Sequence, residues 1–110
     1  MIAFGIGIHR DTNTVIMNID TCNNIAENPS VEFIADPLCI YELHKRAKDM
    51  DMDIVAIIHS HPATPIPSFR DLKGMMWWPL VWIIISSISG EYKAWKLNNG
   101  KILEVPLILY

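Results

Sequence analysis

Over most of the chain the apolar positions fall into short runs separated by polar turns. Ile2 to Ile8 and Val15 to Ile19 are two such runs, parted by Arg10-Asp11-Thr12-Asn13, so the chain is predicted to open with a β-hairpin. An Asn-rich loop from Asn23 to Pro29 follows, and Val31 to Ile34 reads as a short strand. Asp36-Pro37 then supplies a helix N-cap with proline at the first helical position. That helix is expected to run to about Asp49, with Leu38, Tyr41, Leu43, Ala47 and Met50 forming an imperfect apolar stripe. Met50 to Asp53 is its exit. Ile54-Val55-Ala56-Ile57-Ile58 is β-branched, apolar and too short for an independent helix, which predicts a buried strand. A short helix is expected from Ser68 to about Met76 and a further strand from Leu80 to Ser89. Glu91 to Leu97 and Lys101 to Leu109 flank Asn98-Asn99-Gly100, where Asn-Gly is a strong hairpin signal. Strands alternating with helices predict an α/β fold, a single-domain mixed β-sheet flanked by helices.

Composition narrows this picture. A chain of 110 residues, 51% hydrophobic and 19% charged, builds one core and has no room for a second, so residues 1–110 are read as one domain. Nine basic against twelve acidic residues, with no Lys/Arg cluster, argue against nucleic acid as a partner. The longest apolar run, Met75 to Ile88, is interrupted by Pro79, Ser86 and Ser87 and falls short of the roughly twenty residues of a membrane helix, so no membrane partner is expected. Met1 leads straight into strand-like sequence without a basic leader, and a cytoplasmic location is the expectation. Cys22 and Cys39 read as buried thiols, a bridge between them, within or between chains, being the alternative.

The chemistry concentrates after the third predicted strand, in His59-Ser60-His61 and onward to Asp71. On a strand, residues i and i+2 face the same way, so His59 and His61 aim their rings at one point while Ser60 faces away. Three prolines between Pro62 and Pro67 stiffen the loop that returns Ser68 and Asp71 to the histidines. Ser68 is a plausible N-cap accepting from the amide of Asp71, which would leave the Asp71 carboxylate free. Two His and one Asp suit Zn²⁺ held at about 2.0–2.2 Å with an open fourth position. The competing reading is an incidental polar loop. Trp77 and Trp78 are read as core, the alternative being that one of the two is exposed and walls a substrate groove, and His9 and His44 as ordinary surface or strand-end histidines.

His59-Ser60-His61-Pro62 with Ser68 and Asp71 resembles the signature of the JAMM (MPN+) metalloproteases, His-Ser/Thr-His-Pro, a seven-residue spacer, then Ser-x-x-Asp. Here six residues separate His61 from Ser68. Asn24, Phe33-Ile34-Ala35-Asp36-Pro37 and Ile83-Ile84-Ile85-Ser86 extend the resemblance to nearly the whole chain. It implies a cytidine-deaminase-like fold, with His59, His61 and Asp71 as zinc ligands and Ser68 as the oxyanion donor. It also implies a substrate class: ubiquitin-like or sulfur-carrier proteins and their conjugates.

The family further uses a glutamate as general base, which by position would fall just ahead of Met1. Ile2 to Gly7 reads as mid-strand, so the expectation is a chain that starts late, without its lead-in helix, and that self-associates as a homodimer through uncovered apolar strand surface. A base from Glu27, Glu32 or Glu42, or a zinc-binding pseudoenzyme, are the other two explanations. Three functions therefore stand beside one another: a zinc isopeptidase, a catalytically impaired module that binds ubiquitin-like proteins or dimerises as a scaffold, and a peptidase acting on short peptides.

Overall fold

The computed structural model describes residues 2–28 and 34–108. Strands β1 (Ile2–Arg10) and β2 (Asn13–Cys22), helix α1 (Pro37–Asp49), strand β3 (Asp53–His61), helix α2 (Phe69–Trp77) and strands β4 (Val81–Ser86), β5 (Tyr92–Asn98) and β6 (Lys101–Val105) follow one another along the chain. The strands form one mixed sheet in the order β2-β1-β3-β4-β5-β6, which is the α/β architecture expected from the alternation of elements. Two compact units divide at β3, residues 1–56 and residues 57–110.

In the first unit β1 and β2 pair antiparallel from Ile2↔Cys22 to Arg10↔Asn13, with a bulge between Ile6 and Gly7. The bulge marks a close approach: any Cβ on Gly7 would lie 1.8 Å from the Val15 carbonyl oxygen, so only glycine fits. Ile2, Ala3, Phe4 and Ile6 are all buried, as are Val55 and Ala56 of β3. Continuous burial of this kind marks strands covered on both faces, which explains why their sequences run apolar instead of alternating.

Helix α1 begins where expected, with the Asp36 side chain accepting from the Leu38 amide and Pro37 in the first turn. Its apolar stripe is narrower than predicted. Only Leu43 and Ala47, one helical turn apart, are buried, while Leu38, Tyr41 and Met50 are exposed. The Asn24 side chain pins the incoming loop by accepting from the amides of Ala26 and Ile34, at 3.1 and 2.9 Å. Of the strand expected over Val31 to Ile34, residues 31–33 lie outside the described residues; Ile34 is not in a strand, and Ala35 forms an isolated bridge with Asn24. Cys22 and Cys39 are bonded as a disulfide between the end of β2 and the first turns of α1. The expectation of two thiols fails because α1 lies against β2 and brings the two Cα atoms to 5.9 Å, well within bridging distance.

In the second unit Ile57, Ile58, Met75, Trp82, Ile83, Ile84 and Ala94 are buried. Strand β4 stops at Ser86 and not at Ser89, because the Ser86 hydroxyl accepts from the amides of Ile88 and Ser89 and turns the chain. Strands β5 and β6 form the expected hairpin around Asn99 and Gly100, both at positive φ. Strand β6 ends at Val105, since Pro106 has no amide for the ladder; of the remainder expected to reach Leu109, residues 106–108 are not in a strand and Leu109 lies outside the described residues.

Candidate functional site

All four expected site residues belong to the second unit. Strand β3 ends in His59, Ser60 and His61, and the two imidazoles share a face with ring centroids 5.5 Å apart. The His61 carbonyl accepts from the amides of Ala63 and Ser87, at 2.9 and 3.0 Å, which fixes the strand end as the chain turns into the proline loop. That loop is held from outside by Trp95, whose indole N–H donates to the Pro65 carbonyl at 2.8 Å.

Ser68 then starts α2 with a reciprocal capping box. Its hydroxyl oxygen accepts from the Asp71 amide at 3.2 Å, and Asp71 Oδ2 accepts from the Ser68 amide at 2.7 Å. The box carries Asp71 inward, where it is 1% exposed beside His59 at 4%. Asp71 Oδ1 lies 2.7 Å from His59 Nε2, and Oδ2 lies 3.7 Å from His61 Nε2. The carboxylate is therefore not free, as the cap alone suggested: one oxygen faces the first histidine and the other is engaged by the serine amide.

Burial disfavours charge on Asp71, but hydrogen bonding and attraction from His59, with the Ser68 bonds, outweigh it and hold the carboxyl below its ordinary range. His61 stands differently. Among the described residues neither of its two buried ring nitrogens has a hydrogen-bond partner, a condition that costs about 1–3 kcal/mol per group unless something else satisfies it. Buried imidazole nitrogens beside a buried carboxylate are a donor set suited to a divalent cation. Among the described residues no three His, Cys, Asp or Glu side chains stand as a ready cation cage, because Asp71 already faces His59 and the cap.

One expectation about neighbouring residues needs correction. Neither Trp77 nor Trp78 is core: they are 84% and 37% exposed, because α2 turns this end away from the buried face that carries Asp71 and Met75. The tryptophans that brace the site are Trp82 and Trp95, which sequence reasoning missed. Trp82 meets His59 edge-on, with centroids 5.9 Å apart. No sequence pattern singles them out, because Trp82 meets Trp95 only through the register of β4 against β5. His9 and His44 are exposed, as read, and the possible bases Glu27 and Glu42 are exposed too. Glu32 lies outside the described residues.

The fold and these residues define an α/β domain in which a strand-borne His-x-His meets the first-turn aspartate of a later helix. The chain belongs to the family described as prokaryotic homologs of the JAB domain, which it matches over residues 2–98. It is 43% identical over 84 residues to a desampylase of Pyrococcus furiosus, covering 74% of this chain and 59% of that protein. To a probable TtuB-protein conjugate cleaving protease of Thermus thermophilus it is 36% identical over 87 residues, covering 78% of this chain and 55% of the relative. The chain thus spans little more than half the length of these two relatives. Among solved structures, a solution structure of a Desulfitobacterium hafniense protein superposes with a TM-score of 0.80 at 25% identity, covering 99% of this chain and 78% of the other. A Salinibacter ruber protein gives 0.72 at 20% identity, covering 97% and 75%, a likeness of fold.

Proposed function

We propose that this domain is a zinc-dependent isopeptidase that removes ubiquitin-like or sulfur-carrier proteins from their conjugates, with His59, His61 and Asp71 as zinc ligands and Ser68 as the oxyanion donor. The observation that carries this reading is His61, whose two buried ring nitrogens have no hydrogen-bond partner among the described residues and lie beside a buried carboxylate. The names of the Pyrococcus furiosus and Thermus thermophilus relatives support the same class of substrate.

Zinc bound by these three side chains would supply Lewis acidity toward the scissile carbonyl. The chain's own residues do the rest of the positioning. Asp71 brings a negative charge whose direction is set by the capping box, and His59 brings a ring braced by Trp82. Ser68 uses its oxygen to accept from the Asp71 amide, which leaves its O–H to donate. Donated toward a carbonyl oxygen gaining charge, that O–H stabilises the tetrahedral state. Beside the site, α2 presents Phe69, Met76 and Trp77 outward, all more than 70% exposed. An apolar stripe of this kind favours a folded protein as substrate over a short peptide.

Self-association as a homodimer belongs to the same reading and is supported by exposed Met17 and Ile19 on edge strand β2. Sedimentation showing monomer alone at micromolar concentration would count against it. A cytoplasmic location is proposed as well. Disulfides are rare in reducing cytosols outside hyperthermophiles, so a Cys22–Cys39 bridge found closed in cells of an ordinary mesophile would contradict it.

The test is hydrolysis of a Lys-linked or linear ubiquitin-like fusion by the zinc-loaded protein. Weak hydrolysis is expected, because β3 and α2, the elements that carry the site, contain no glutamate, and His61→Ala should abolish it. Zinc uptake and carrier binding without any hydrolysis would favour the second reading, a catalytically impaired module. Cleavage of short peptides with conjugates left intact would move the substrate class to small peptides.

A further inference from the structure

Helix α2 and the loop before it carry both Ser68 and Asp71, yet little of that segment's own sequence explains what fixes its position. Two indoles do. Trp82 and Trp95 are directly opposite one another in the β4–β5 ladder, so their side chains share one face of the sheet. Trp95 donates its indole N–H to the Pro65 carbonyl at 2.8 Å, three residues before the Ser68 cap. Trp82 donates its indole N–H to the carbonyl of Trp78, the C-cap of α2, at 3.0 Å. The segment is thus held at both ends by the same kind of bond from paired residues.

The middle of the helix is held by shape. Gly74 lies one turn after Asp71, and a Cβ there would fall 2.5 Å from Trp82 Cη2 and 3.0 Å from Cζ2. The helix backbone therefore rests on the Trp82 ring itself, and Trp82, 1% exposed, has no room to retreat. The same ring meets His59 edge-on at 5.9 Å. One side chain thereby touches the helix that carries Asp71 and the histidine that Asp71 faces.

We propose that Trp82 and Trp95 are a two-point clamp of positioning residues that sets where the Ser68–Asp71 box meets His59 and His61. The loop between His61 and Ser68 holds three prolines and makes few amide bonds of its own, Ala63 to His61 and Ile66 to Thr64. Without the Trp95 bond, it has freedom to slide the cap along the sheet. The role in zinc binding rests on the proposed function; the clamp itself does not.

Native-state hydrogen exchange on the zinc-free protein, followed by zinc affinity, separates the two. Trp95→Phe keeps an aromatic ring and removes the N–H. It is expected to speed exchange on the order of tenfold at the Ser68, Asp71 and Leu72 amides, which bond within the cap. The Trp78 amide, bonded to the Gly74 carbonyl at the far end, and the β4 and β5 amides should exchange as in the wild type. Trp82→Phe should do the reverse, loosening Trp78 first. Each variant should bind zinc on the order of tenfold more weakly, as outer-shell changes do. Unchanged protection of the cap in Trp95→Phe, or a uniform rise across the sheet, overturns the clamp. If the wild type takes up no zinc while the end-specific pattern appears, the clamp stands and the zinc site falls.

Discussion

Ser68 and Asp71 each hold two positions at once, one in the helix cap and one in the site. Replacing Ser68 with Ala removes a cap acceptor worth about 1 kcal/mol of stability. If its O–H also serves as an oxyanion donor, the same change lowers kcat about 10²–10³-fold. A kcat loss of that size, with a urea midpoint shifted only by the cap term, is the expected result; a rate loss no larger than the stability change explains would deny Ser68 its chemical role. For Asp71 the sign of the pH effect follows from its lowered pKa. A depressed carboxyl contributes stability above the unfolded carboxylate value of about 3.9, and that contribution is lost as pH falls through the lower folded value. Acid titration of the zinc-free protein should therefore lose stability below about pH 4, and Asp71→Asn should flatten that limb. An unchanged limb in Asp71→Asn would assign the acid sensitivity to other groups.

At the scale of elements, the glycine of α2 is the sharpest test of packing. Alanine gains about 0.5–1 kcal/mol over glycine in a helix interior. Overpacking a filled site costs about 1–3 kcal/mol. At Gly74 the second term wins, because the new Cβ would sit 2.5 Å from a ring that is itself fully buried. Gly74→Ala is expected to lower the urea midpoint; an increase would mean that the Trp82 ring yields. Most elements were legible from residue patterns alone. Asp36-Pro37 marked the start of α1, and the apolar runs marked β1, β3 and β4. Asn99-Gly100 marked the last hairpin. Helix faces were less legible: Leu38, Tyr41 and Met50 sit at helical spacing, yet only the Leu43–Ala47 pair is buried, since a periodic pattern does not record how much of a helix its neighbours cover.

For the whole molecule, the site was readable because its parts are local. His59 and His61 share a strand end, and Ser68 and Asp71 share a helix turn, so spacing alone brought each pair together. What spacing could not supply was the long-range part. The Cys22–Cys39 bridge, the Trp82–Trp95 pairing and the approach of Asp71 to His59 each depend on where separate elements meet. The central claim is that His59, His61 and Asp71 hold one zinc ion, and competition of the metal-free protein against a chelator tests it most directly. One zinc per chain is expected, with affinity falling at least about 100-fold in His61→Ala while its metal-free stability is kept or raised, because that change removes buried nitrogens that have no hydrogen-bond partner among the described residues. Equal zinc affinity in the wild type and a folded His61→Ala protein, or no zinc uptake by either, would contradict it.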